Sequence, residues 1–262
     1  MWVIFLGLLH FCLWADEKKA DPKEKPAPQE KKAEEKPEYP PMDTFIAGLT
    51  KMDGFYTLFH KEEKLYALIK KAQLGNFFLM AFSISGGPEF TGWQWGDMLV
   101  KWEKVDKNLL LIRPNLKHRT DKATLLSEMV KKTYTDSIVH VVPILSMDAA
   151  GNALVDCNHI FKKDIAEIGQ LMAWIMGGPS ALNSQLSSWS KIKVFPNNAE
   201  IEINASFVGG GRGEGIFSEW NVGNEGLVAD KRGVRMNIHY SLSHLPDRKS
   251  TLLNSSHVSQ SR

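Results

Sequence analysis

Four small constellations in this chain carry residues that could do chemistry. His140 and His159 fall on segments that read as paired strands, with Asp156 and Cys157 nearby. Two imidazoles with a carboxylate or a thiolate are donors that zinc accepts. Hydrogen-bonded sheet histidines are the reading favoured for the pair. His239 and His244 share one alternating segment, but residues five apart in a strand point to opposite faces. They cannot share a metal unless the strand ends between them. Gly209–Gly215 invites a phosphate reading, yet it lacks the Gly-Lys-Ser/Thr ending of a P-loop and its glycines miss the dinucleotide spacing. It reads as a flexible connection between strands. Trp93 and Trp95 flank Gln94 in a Gly-bounded stretch. A sugar or peptide platform is one reading. Indole rings lidding the sheet edge is the favoured one, because large aromatics mostly supply buried area. The sequence holds no His-Glu-x-x-His and no Gly-x-Ser-x-Gly. No catalytic, cofactor-binding or metal-ligating residue is therefore assigned.

The elements that would position these residues are mostly strands. Phe77–Ile84 is a short apolar run closed by Gly86-Gly87-Pro88, which predicts a buried strand. Met98–Glu103 and Leu109–Ile112 flank the turn formers Val105–Asn108, a hairpin signal. Gly54–His60 and Leu65–Ile69 flank a Lys-Glu-Glu-Lys turn and predict a second hairpin. The span Leu65–Pro114 is the core around which the rest is organised. Ser137–Leu145 reads as a strand, with Pro143 arguing for an edge or a bulge. Ala153–Phe161 reads as its returning partner. Ile192–Phe195, Glu200–Phe207 and Val234–Leu242 are further strands. In the second of these, Ile201, Ile203 and Ala205 alternate with polar residues, so one face should be wet. Helices are predicted over Asp121–Tyr134, with Asp121 as N-cap, and over Lys163–Ile175. Short strands joined by turns, without regular strand–helix alternation, predict an α+β body, mainly antiparallel sheet with about two helices.

The chain has 262 residues, and its formal net charge is +2. Lys117-His118-Arg119 is a short basic patch that reads as a solvated loop, and nothing calls for nucleic acid. Residues 1–15 read as a secretory signal peptide, which implies a secreted or periplasmic protein with no membrane contact after cleavage. An uncleaved anchor is the second reading, since no Lys or Arg precedes the apolar run. Removal of that segment would leave Cys157 as the only cysteine, so no intrachain disulfide forms. Residues 16–41 are almost wholly Lys, Glu, Asp, Pro and Ala and read as a disordered linker. The β-rich domain is placed at residues 42–246.

The segments now described resemble the N-terminal, non-catalytic region of large bacterial secreted zinc-dependent metallopeptidases. The pieces that carry the resemblance are Asp53-Gly54-Phe55 through Lys64-Leu65-Tyr66, Leu74–Phe77 through Ser85-Gly86, Val100–Glu103, Leu154–Phe161, Phe195–Asn198 and His239–Pro246. The resemblance covers roughly Asp43–Pro246, nearly all of the β-rich domain. The resemblance implies a metzincin-like catalytic domain following this region. There, three histidines of His-Glu-x-x-His-x-x-Gly-x-x-His would hold zinc, and the glutamate would act as general base. None of those residues occurs in this chain, so none is carried over and the chain itself is expected to be inactive. Its cofactor list is empty, with zinc expected in the missing domain. Its implied partners are that C-terminal domain and a peptide substrate. After Pro246 the resemblance stops. Asp247–His257 looks, apart from one leucine, like a translated sequencing-library adapter, so residues 247–262 read as a non-native tail. The expected role is scaffolding, propeptide-like or substrate-positioning. The alternative is a free-standing secreted module that holds a glycan or peptide with Trp93, Trp95 and the glycine loop.

Overall fold

The computed structural model describes residues 38–88, 90–118, 125–176, 178–209, 230 and 232–245. The expectations for the signal peptide, most of the linker, the Asp121 cap, residues 210–215 of the glycine loop and the tail lie outside these residues. Tyr39 and Pro40, at the end of the predicted linker, touch the body. Tyr39 packs against the core, and Pro40 O accepts the Ser146 hydroxyl at 2.7 Å.

Apolar–polar alternation builds the strands in order. They are β1 (Thr50–Met52), β2 (Thr57–Lys61), β3 (Lys64–Ile69), β4 (Phe77–Gly86), β5 (Gln94–Val105), β6 (Asn108–Arg113), β7 (Ser137–Met147), β8 (Ala153–Asp156), β9 (Ser180–Leu182), β10 (Ser188–Val194), β11 (Asn198–Gly209) and β12 (Gly233–His244). The helices are α1 (Asp43–Ile46), α2 (Leu125–Thr133), α3 (Asn158–Phe161) and α4 (Ile168–Met176). All pairings are antiparallel, in the order β1-β2-β3-β8-β7-β6-β5-β4-β12-β11-β10, with β9 following β10 along the free side of β11. The α+β, β-rich fold is therefore as the sequence predicts.

Both predicted hairpins form, and each turns on two residues. Glu62 and Asp106 adopt left-handed backbone, with φ of 54° and 51°. Such turns match the twist of the strands they join. β7 is an interior strand between β6 and β8, not an edge. Pro143 is tolerated because the β8 ladder begins only at Ile144↔Val155, next to a register shift. That position wants no N–H on its second side. The strand predicted over Ala153–Phe161 stops at Asp156. Asp156 Oδ1 accepts both the backbone N–H and the side-chain amide of Asn158 at 2.8 Å, and the chain turns into α3. The helix predicted from Lys163 begins at Ile168. Asp164 supplies the cap, accepting the N–H groups of Ile168 and Gly169 at 2.8 and 2.7 Å.

One face of every long strand points to a shared interior. Phe78, Met80, Phe82 and Ile84 of β4 meet Val100 and Trp102 of β5, and Ile201, Ile203 and Phe207 of β11 meet Ile238 and Tyr240 of β12. Ile160, Phe161, Ile168, Met172 and Ile175 from the α3–α4 region join this core. Trp102 Nε1–H donates to the buried Tyr56 hydroxyl at 2.9 Å. Each such apolar side chain contributes about 1.5–3 kcal/mol on burial, whereas an exposed ion pair contributes about 0–1 kcal/mol. Packing therefore outweighs the surface charge pairs.

The two ends of the sheet meet. Phe55 N–H donates to Phe195 O at 2.8 Å, and Trp189 Nε1–H donates to Glu63 O at 2.9 Å. Gly54 permits the approach, since a Cβ there would lie 2.6 Å from Phe195 O. Gly54→Ala should destabilise the protein by about 1–3 kcal/mol through this overlap. Tyr240→Phe should leave stability unchanged or raise it, because the buried Tyr240 hydroxyl has no hydrogen-bond partner among the described residues and its removal relieves a desolvation cost. Urea unfolding of the two variants beside the parent protein checks both outcomes.

Candidate functional site

Two places on the outside of the sheet gather polar side chains. The first lies where β4, β12 and β11 present their outward residues. His239 Nε2–H donates to Glu200 Oε2 at 2.8 Å, and the other ring nitrogen lies 3.3 Å from Ser83 Oγ. Glu200 Oε1 accepts Ser241 Oγ–H at 2.9 Å and the Asn198 amide at 2.6 Å. Beside it, Glu202 is only 5% exposed and accepts the Ser190 hydroxyl at 2.7 Å. Burial opposes the charge of Glu202, but the hydroxyls of Ser190 and Ser85 and the Lys191 ammonium outweigh it and hold the carboxyl below its usual range. A cavity of about 410 Å³ lies over this group, lined by Lys191, Lys193, Phe195 and His239 among others.

A serine, an imidazole and a carboxylate in a row have the connectivity of a nucleophilic relay. The surroundings give it no such work. Ser83 is paired with His239 inside the antiparallel ladder, where neighbouring amides are committed to strand partners. An acyl-transfer site needs amides free to bind an oxyanion. The arrangement instead satisfies polar side chains on the wet face of the sheet.

The second place is a slot where β6 stops. β5 runs on past the end of β6, whose last pairs are Lys101↔Ile112 with β5 and Arg113↔Ser137 with β7. The chain leaving β6 is held toward β7, because Asn115 N–H donates to Asp136 Oδ1 at 2.9 Å while Lys101 sits 3.6 Å from Asp136 Oδ2. Two adjoining cavities result. One, of about 630 Å³, is lined by Asp97, Leu99, Arg113, Leu116 and Lys117; the other, of about 430 Å³, by Trp95, Ile138, Asp164 and Glu167. They share Asp97, Met98, Arg113 and Ser137. Burial pushes the Asp164 carboxyl up and its two amide donors pull it down, with a net rise. Gly169 leaves room for it, since a Cβ there would lie 2.6 Å from Asp164 Oδ2 and would push the carboxylate aside.

The tryptophans flank this slot. Trp95 is half-buried, occupies the register shift between Phe82 and Ser83, and donates Nε1–H to Ala166 O at 2.7 Å. It lids the sheet end. Trp93 is 49% exposed and rests against Phe90 and Trp95, with ring centroids 5.0 and 5.8 Å away. The other sequence candidates separate. The His244 ring lies tilted against Phe55, centroids 4.6 Å apart, away from His239. His140 Nε2–H donates to the backbone oxygen of His159, so that pair meets through a carbonyl and not through two rings. Cys157 is fully buried, and burial holds its thiol well above its usual range. His118 stacks on Tyr134 at 3.8 Å. Among the described residues no three His, Cys, Asp or Glu side chains are grouped to hold a metal. The slot was invisible in the sequence, because it arises from unequal strand lengths that only the register reveals.

Residues 92–251 match the family described as Domain of unknown function (DUF5117), and the chain belongs to that family. Apart from Phe82, the residues that line the slot lie within the matched region, whereas Ser83 lies outside it. No curated protein and no solved structure matches the chain.

Burial depresses the protonation of His140 below the ordinary histidine range, against the opposing effect of its carbonyl partner. As pH falls below about 6.5, the unfolded chain takes up this proton before the folded one does. Stability should therefore decline with acidification through that range. His140→Gln, which keeps a donor for His159 O, should remove this component, read from melting temperatures at pH 7.5, 6.5 and 5.5.

Proposed function

We propose that this chain is the non-catalytic N-terminal part of a secreted zinc-dependent metallopeptidase and that it works as a docking scaffold for the catalytic domain. The ordered resemblance over Asp43–Pro246 supports the reading. The observation in the fold that carries it is the apolar side of α2. Leu125, Leu126 and Met129 are 75%, 61% and 57% exposed. Val141, on the strand that follows, is exposed as well. Large apolar side chains grouped on one element and turned to water mark a protein contact more often than an idle surface. An amphipathic helix that shows solvent its apolar side needs a second body to cover it.

A second reading keeps this domain as a carrier of glycan or peptide. The half-exposed Trp93, braced by Phe90 and Trp95 beside the slot, is the feature that favours it.

The first reading predicts a His-Glu-x-x-His segment downstream in the same reading frame of the source gene. It also predicts that the catalytic domain, expressed separately, binds this chain in sedimentation experiments. Leu126→Asp with Met129→Asp should weaken that association about tenfold or more, as expected when central apolar contacts are lost, and should leave the circular dichroism unchanged. A clean gene read without that motif, or association indifferent to the two substitutions, overturns the proposal.

A further inference from the structure

The geometry points to a peptide site: we infer that the free edge of β5 at Asp97 and Leu99 takes an extended polypeptide by strand addition. This goes beyond the docking reading and holds independently of it.

The inference starts from the hairpin. β5 and β6 are joined by Asp106 and Lys107, so Val105↔Asn108 is the closing pair. In a two-residue hairpin the closing pair exchanges both backbone hydrogen bonds, and every second pair beyond it does the same. Glu103↔Leu110 and Lys101↔Ile112 are therefore the bonded pairs on that side. The intervening residues Val100 and Met98 direct their backbone groups toward β4. Continuing the alternation, the N–H and C=O of Leu99 and Asp97 point to the side that β6 would have occupied. β6 ends at Arg113, and no described strand replaces it. Four backbone groups thus face the slot, and the two residues that carry them lie about 7 Å apart at ~3.4 Å per residue.

That pattern selects the chemistry of the ligand. Donor and acceptor from one residue, repeated at the next residue but one, is the complement of another extended backbone. A sugar carries no such array. The flanks suit alternate side chains of a strand. Exposed Leu116 and Ile138 offer apolar contact, one in each of the two adjoining cavities. The slot also has electrical polarity. Glu167 lies in one cavity only and Lys117 in the other only. Neither has an ion-pair partner among the described residues. The peptide that fits best carries a basic side chain toward Glu167 and an acidic one toward Lys117. An open strand edge is ordinarily blunted because it invites aggregation. Here the open stretch is brief, and the bulge at Trp95 ends it, which suits a short segment rather than another sheet.

The test uses the full chain as bait for a display library of random decapeptides, with affinities of selected peptides measured by fluorescence anisotropy. Leu99→Pro removes an N–H that the β4–β5 ladder does not use, so the variant should fold. It should bind selected peptides about tenfold more weakly or worse. Methylating alternate backbone nitrogens of the peptide should have the same effect. Leu126→Asp with Met129→Asp should leave peptide affinity unchanged, which separates this site from the docking face. Should Leu99→Pro misfold, amide exchange in the parent protein decides: Asp97 and Leu99 amides should become protected when peptide is added. The inference fails if no decapeptide is enriched over a bait-free control, or if those amides stay unprotected. It also fails if only oligosaccharides such as chitohexaose bind and Trp93→Ala abolishes that binding.

Discussion

The contact on which this body depends is the meeting of its two sheet ends at Gly54. A long antiparallel sheet leaves two edges open, and its inner face must find cover. Here the sheet bends until Phe55 N–H reaches Phe195 O and Trp189 reaches the turn at Glu63. The absence of a side chain at Gly54 sets how closely the ends approach. With the ends together, every inward residue faces another across one interior. Packing there supplies the stability that disulfides cannot, since Cys157 is a free, buried thiol.

The α3–α4 region shares that interior. Phe161 lies against Tyr240 at 5.2 Å and against Trp189 at 6.4 Å, so one residue ties the helical segment to both β12 and the edge strand β10. Asp164 begins α4 and Trp95 holds Ala166, which fixes the same segment against β5. The slot beside β5 is thus bounded by anchored parts: a capped helix start, a loop tied to Asp136, and the ladder itself. A binding surface so built loses little entropy on ordering.

Function, on this view, sits where regular pairing fails. The wet face around His239 and Glu200 is chemically rich but internally satisfied, so it has little left to offer a ligand. The end of β6 is chemically plain, yet it leaves backbone groups of β5 without a strand partner among the described residues. Unsatisfied backbone is a stronger invitation than a satisfied triad. The apolar side of α2 makes a different offer, of area rather than hydrogen bonds, and the two surfaces suit two different partners. The region matched to the DUF5117 family covers both, since residues 92–251 include α2 and all of the slot's lining but Phe82.

Local sequence alone marked the long strands, though not the short β1 and β9. Alternation places Ile201, Ile203 and Ala205 inside, and turn chemistry places the hairpins at Glu62 and Asp106, because side-chain period and backbone twist are properties of a few consecutive residues. It also separated His239 from His244, for the same reason. What it could not reach were relations between distant segments. β12 lies beside β4, more than 140 positions away in the chain. α2 kept its predicted helical spacing but turned its apolar residues outward. The slot depends on β6 being shorter than β5, and the sheet's closure depends on a glycine meeting a carbonyl from the far edge. Register, closure and exposure are decided by which strand lies next to which, and that is fixed only when the whole interior packs at once.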